Sequence, residues 1–157
     1  MSEIKIKTDD LSDGKVIELL EVHHAQMYLY SPTESIHALD KSEINDPDIT
    51  FWSAWDGDNL AGCGALKELS DNQGEIKSMR TSKPYLRRGI ADRILRKILE
   101  EAKARSYKKI SLETGTHEVF IPAVTLYKKH GFMECGPFGT YRLDPHSTFL
   151  TKEINYD

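Results

Sequence analysis

The chain has 157 residues, with 21 Lys and Arg against 25 Asp and Glu and a formal net charge of −4. This length fits a single domain, 1–157, with a sizeable core, and the mildly acidic balance argues against non-specific nucleic-acid binding, which needs a basic surface. No apolar run approaches a membrane span, MSEIKIKTDD lacks the apolar core of a signal peptide, and Cys63 and Cys135 form no paired motif, so reduced thiols in a cytoplasmic protein with no membrane partner are expected.

Glu3 to Lys7 alternates apolar with polar residues and predicts a short strand. Asp10 or Ser12 is placed to cap a helix running to about Tyr30, with Val16, Leu19, Leu20, His23 and Met27 as its apolar stripe, and Ser31-Pro32 ends it. Ala38 to Ile44 predicts a short helix, closed by Pro47. His23, His24 and His37 lie in this half without carboxylate or Cys partners at ligand spacing, so no metal is expected. Ile49 to Trp55 is β-branched and aromatic and predicts a strand. Asp56-Gly57-Asp58-Asn59 is turn chemistry, and Leu60 to Leu66 returns, with Gly62 and Gly64 leaving room for a close neighbour. Asp71-Asn72-Gln73-Gly74 makes the next turn, and Glu75 to Ser82 completes an antiparallel meander.

The stretch that follows organises the chain. Arg87-Arg88-Gly89-Ile90-Ala91 opens a helix whose apolar residues Ile90, Ile94, Leu95, Ile98 and Ala102 recur every three or four positions. The first N–H groups of a helix lack internal partners and the dipole there favours negative charge. A glycine and two arginines at that point predict a pyrophosphate cradle. A dinucleotide fingerprint or a nucleoside-triphosphate loop would need other glycine spacings, which are missing. Lys108 to Thr114 is the next strand. Strand, long helix, strand is a βαβ unit, so it should run parallel to Glu75–Ser82. Pro122 starts a helix with Ala123, Leu126, Tyr127 and His130 on one face, and Gly131 stops it. Phe132 to Cys135 begins another strand, Gly136-Pro137-Phe138-Gly139 is a loop, and Ser147 to Ile154 is the last strand. The sum is an α/β domain with a mixed, mostly antiparallel sheet and one parallel pair at its middle.

Leu86-Arg87-Arg88-Gly89-Ile90-Ala91 resembles motif A of the GNAT superfamily of acetyl-coenzyme A-dependent N-acyltransferases, Q/R-x-x-G-x-G/A, with Leu86 departing at the first position. Leu126-Tyr127-Lys128-Lys129-His130-Gly131-Phe132 resembles the family's L-Y-x-x-x-G-F signature, and Phe120 stands where the family often has a cofactor-touching Asn. The order of elements is similar to the whole GNAT fold. The resemblance implies a sheet that splays at its parallel pair, helices on both faces, and acetyl-CoA as donor without a metal. It implies backbone groups of Met79, Arg80 and Thr81 on the pantetheine, and Arg87, Arg88, Gly89, Ile90, Ala91 and Asp92 at the pyrophosphate. It also implies direct attack by a small primary amine. Tyr127 resembles the general acid. Glu75, fourteen positions before Gly89, and Glu113, at the end of the parallel strand, are rival bases. His24, His37, Phe51, Tyr141 and Ser147 are acceptor-pocket candidates by position. Homodimers are common among relatives. An O-acceptor, another acyl donor, or a non-catalytic acyl-CoA sensor are the alternatives.

Overall fold

Period-two alternation along the chain builds a seven-stranded sheet in a computed structural model that describes residues 3–30 and 44–156. Strand β1 (Ile4–Asp9) pairs antiparallel with β2 (Ile49–Asp56), β2 with β3 (Asn59–Ser70), and β3 with β4 (Gln73–Thr81). Strand β5 (Lys109–Gly115) runs parallel to β4, as a right-handed strand–helix–strand unit requires. Strand β6 (Met133–Cys135) lies at the edge, because β7 (Ser147–Glu153) inserts between it and β5, antiparallel to both. The order is β1-β2-β3-β4-β5-β7-β6. No helix among the described residues is long and apolar enough to cross a membrane.

Among the described residues three α-helices cover the sheet: α1 (Lys15–Tyr30), α2 (Ile90–Ala104) and α3 (Ile121–Lys129). Alternation divides the core between its two faces. Phe51, Cys63 and Ala65 pack with Val16 and Leu20 of α1. Trp52, Ala54, Leu66, Ile76 and Leu112 pack on the other face with Ile90, Ile94, Leu95 and Ile98 of α2 and Tyr127 of α3. Ile90, Ile94, Leu95, Ile98 and Ala102 are all buried, the stripe expected from their spacing. Each large aliphatic there contributes about 2 kcal/mol of burial. Gly62 and Gly64 let α2 lie close: a Cβ on Gly62 would stand 2.9 Å from Ile90 Cγ2, and one on Gly64 2.9 Å from Ile94 Cγ2.

Two expectations change. Helix α1 starts at Lys15, later than Asp10 or Ser12 would cap it. Asp9, Asp10 and Asp13 instead each accept the backbone N–H two residues on, so the carboxylates hold a turn that precedes the helix. The strand expected over Leu60 to Leu66 extends to Ser70. The short helix expected over 38–44, Ile44 apart, and His37 lie outside the described residues.

Candidate active site

Strands β4 and β5 pair only from Gln73↔Lys109 to Ile76↔Leu112. Beyond that point β4 stays on β3, through Arg80 and Thr81, while β5 stays on β7, through Glu113 and Gly115. The parallel pair therefore splays. Among the described residues no strand lies beside the β5-facing edge of residues 78–81 of β4.

A bulge on β4 sets what each side of this gap presents. Lys77 sits opposite Ala65 and Arg80 opposite Cys63, so two residues, Ser78 and Met79, stand against Gly64 alone. Ser78 takes φ 55, the left-handed conformation that such an insertion favours. The insertion reverses the alternation. Glu75 and Lys77 face α1 before it, and Arg80 faces α1 after it, because Cys63 and Ala65 both pack under α1. Met79 turns to the α2 face, near the space above Gly64.

At the entrance to the gap, a 3-10 turn over Lys83–Tyr85 leads into Arg87 at φ 63 and Gly89 at φ 78. Gly89 is the N-cap of α2 and has no side chain to satisfy the first N–H groups. No atom lies within 4 Å of a Cβ built there, so the glycine is required by its φ and the space before it is open. The Arg88 guanidinium lies 5.4 Å from the Tyr85 ring centroid, and Tyr85 Oη donates to Asp56 Oδ2 at 2.8 Å. The loop is thus tied to the end of β2. Ile90 is buried and Ala91 half-buried, so both offer the site backbone N–H groups. The Asp92 carboxylate is engaged elsewhere: Oδ1 is 2.6 Å from His130 Nε2, and Oδ2 accepts from Arg96 Nε at 2.8 Å. Those bonds, His130 first, lower its pKa. Its N–H, not its side chain, is what the site can use.

The α1 face of the gap carries a carboxylate cluster. Glu75 is buried, accepts from Tyr141 Oη at 2.5 Å, and has Lys77 Nζ at 3.8 Å. Glu113, opposite Phe149 in β7, has its pKa raised from 4.5 to about 7. Burial is the main cause. The nearby Ser147 hydroxyl and the charge of Lys77 oppose it, and the charges of Glu75 and Asp144 add to it. Tyr141 packs on Phe138 and Phe149 at 5.0 and 5.5 Å between centroids, an aromatic wall beside the carboxylates.

Tyr127 lies on the opposite side of the sheet, buried and edge-on to Phe132 at 5.6 Å, and burial pushes its phenol well above the usual range. Phe120 occupies the space beside Gly115 at the end of β5, where any Cβ on Gly115 would collide with its ring. The structure thus brings Glu75, Glu113, Tyr141 and Ser147 together. Phe51 lies on the same α1 face but two strands from Glu75, 3% exposed and packed against α1. His24 sits half-buried on α1. Sequence reasoning missed the Asp92–His130 link, although both residues lie within the two motifs, because only the tertiary fold joins the start of α2 to the end of α3.

Residues 16–132 match the acetyltransferase (GNAT) family. The chain is 54% identical over 149 residues to the uncharacterized N-acetyltransferase YsnE of Bacillus subtilis (strain 168), covering 95% of this chain and 99% of that protein. Its fold is similar to a solved acyl-CoA N-acyltransferase of Klebsiella pneumoniae, with a TM-score of 0.82 at 22% identity over 97% of this chain and 98% of that one. It is also similar to a GNAT acetyltransferase of Elizabethkingia anophelis solved with acetyl-CoA bound, with a TM-score of 0.70 at 20% identity over 96% and 98%.

Proposed function

This chain belongs to the GNAT acetyltransferase family and is an acyltransferase, and from that premise we propose that it moves the acetyl group of acetyl-CoA onto a primary amine by direct attack. The observation that carries the reading is the end of β4–β5 pairing at Ile76↔Leu112, on the strand that leads into a helix N-terminus with no side-chain cap.

The N–H groups of Ile90, Ala91 and Asp92, with the helix dipole, hold the pyrophosphate, and Arg87 and Arg88 add charge from the loop. The pantetheine lies in the gap along residues 77–81. The backbone of residues 78–81 takes its amides and donates to the thioester oxygen as negative charge develops on it.

The amine arrives from the α1 face as an ammonium ion with a pKa of about 10 and must lose a proton before it attacks. Glu113 takes that proton. A carboxyl with a pKa near 7 is ionised in a useful fraction near neutrality and still basic enough to accept. Glu75, which accepts from Tyr141 and lies beside Lys77, stands next to the incoming cation. The nitrogen lone pair then forms the C–N bond, the C–S bond breaks, the new amide nitrogen releases its second proton to solvent, and the departing thiolate takes a proton from Tyr127 on the other side of the gap. The displaced Tyr127 proton is restored from solvent.

The test is thiol release from acetyl-CoA across a panel of primary amines, with Tyr127→Phe alongside. The account expects turnover with at least one amine, and a fall in kcat of about 100-fold for Tyr127→Phe with acetyl-CoA affinity little changed. Thermal stabilisation by acetyl-CoA without thiol release on any amine would contradict it in favour of a non-catalytic sensor.

A further inference from the structure

The bulge at Ser78 leaves a cation on the acceptor side of the sheet that acetyl transfer by itself does not use. Arg80 follows the bulge, opposite Cys63, and so shares the α1 face with Lys77, Glu75 and Glu113. Its Nε is buried without a hydrogen-bond partner among the described residues, and so is Ser78 Oγ beside it. A buried guanidinium nitrogen that makes no bond is costly. Burial already lowers the pKa of Arg80, so part of its hydration has been given up. Cys63, its cross-strand neighbour, is a buried thiol with its pKa pushed up to about 12, and does not supply a counter-charge.

The position of this group matters as much as its state. It lies on the unpaired stretch of β4, on the face away from α2. The loop that meets the pyrophosphate opens at the start of α2. From Lys77 to Arg80 the chain advances two pairing positions along β3, roughly 7 Å. Glu113 is one residue past Leu112, as Lys77 is one past Ile76, so the carboxylate cluster and Arg80 stand at successive levels of the same gap. An acceptor lying along the gap with its amine at Glu113 would carry any group a few ångströms further on toward Arg80.

Resting on the acetyltransferase reading above, we propose that the Arg80 guanidinium binds a carboxylate of the acceptor, so that the substrates are amino acids rather than simple amines. A planar guanidinium paired with a carboxylate recovers the missing bonds of Nε and adds a second donor in the same plane. The zwitterion meets charges of opposite sign at its two ends, with the carboxylates for its ammonium and Arg80 for its carboxylate. This arrangement rejects an amine that lacks the acid group, because Arg80 would then stay unpaired.

Thiol release is measured for the native protein, Arg80→Met and Arg80→Lys, each checked by thermal melting, with the twenty α-amino acids, their amides and their decarboxylated amines. The native protein should prefer an amino acid over its own amide and amine. Arg80→Met should erase that preference by raising the KM for the amino acid about 10- to 100-fold, the loss of one charge-assisted pair, with a smaller change in kcat. Arg80→Lys should restore part of it. Equal use of acid, amide and amine by the native protein would overturn the proposal and leave acetyl transfer standing, as would a penalty that falls on the KM for acetyl-CoA. Calorimetry of the same amino acids into the protein saturated with CoA gives a reading independent of turnover. Binding that Arg80→Met abolishes supports the proposal even if no acceptor turns over, and binding that survives the substitution, or no binding of any amino acid, overturns it.

Discussion

Glu75 and Glu113 are carboxylates on one face of one sheet, and their surroundings separate them. Glu75 has a phenol and an ammonium group against it. Glu113 is held mainly by burial, which favours its neutral form. A carboxyl whose folded pKa lies above its unfolded value gives stability that is complete below pH 4.5 and is lost as pH rises through about 7. Glu113→Gln should therefore match the native protein near pH 4 in urea unfolding and exceed it by about 1–3 kcal/mol above pH 8. The same substitution should remove the rise of kcat/KM through pH 7 that marks a base losing its proton, whereas Glu75→Gln should keep that rise at a lower plateau. A retained limb in Glu113→Gln would move the base to Glu75. Both residues were legible in the sequence as rivals, since their positions relative to Gly89 and to the parallel strand are countable. Their ranking was not, because burial and the approach of Tyr141 belong to the folded chain. Phe51 shares that α1 face but sits on β2, two strands from Glu75, and how deeply α1 buries it belongs to the folded chain as well.

Among the elements, β4 and α2 carry the site, and they were legible to different degrees. The α2 stripe follows from 3.6-residue periodicity, and Gly89 at its start follows from the need for a positive φ. The bulge at Ser78 left no mark in composition, since Lys77-Ser78-Met79-Arg80 reads as an ordinary alternating strand. Only the pairing with β3 reveals that Lys77 and Arg80 share a face. Gly89→Ala separates the two demands placed on the helix start. With open space around a new Cβ, the cost to folding should be the left-handed penalty alone, about 1 kcal/mol by urea unfolding. The methyl group would stand where the diphosphate meets the backbone, so the Kd for acetyl-CoA should rise about tenfold or more, or ~1.4 kcal/mol. An unchanged Kd would place the ligand elsewhere.

At the scale of the whole molecule, one mixed sheet separates two cores and opens between them. The α1 core presents the carboxylates, and the α2 and α3 core presents Tyr127. Glu113 and Tyr127 thus lie on opposite faces of the sheet. The βαβ unit dictated the parallel pair, and that much the sequence order displayed. The insertion of β7 between β5 and β6 is a long-range pairing with no local signal. The account as a whole turns on where the thioester sits. A crystal structure of the protein with acetyl-CoA, or a stable analogue of it, tests this most directly. The account predicts the diphosphate on the N–H groups of residues 90–92, and the thioester between β4 and β5 past Ile76 and Leu112, with Glu113 on one side and Tyr127 Oη on the other. A donor bound outside that gap, or strands 77–81 and 113–115 closed against each other in the complex, would contradict it.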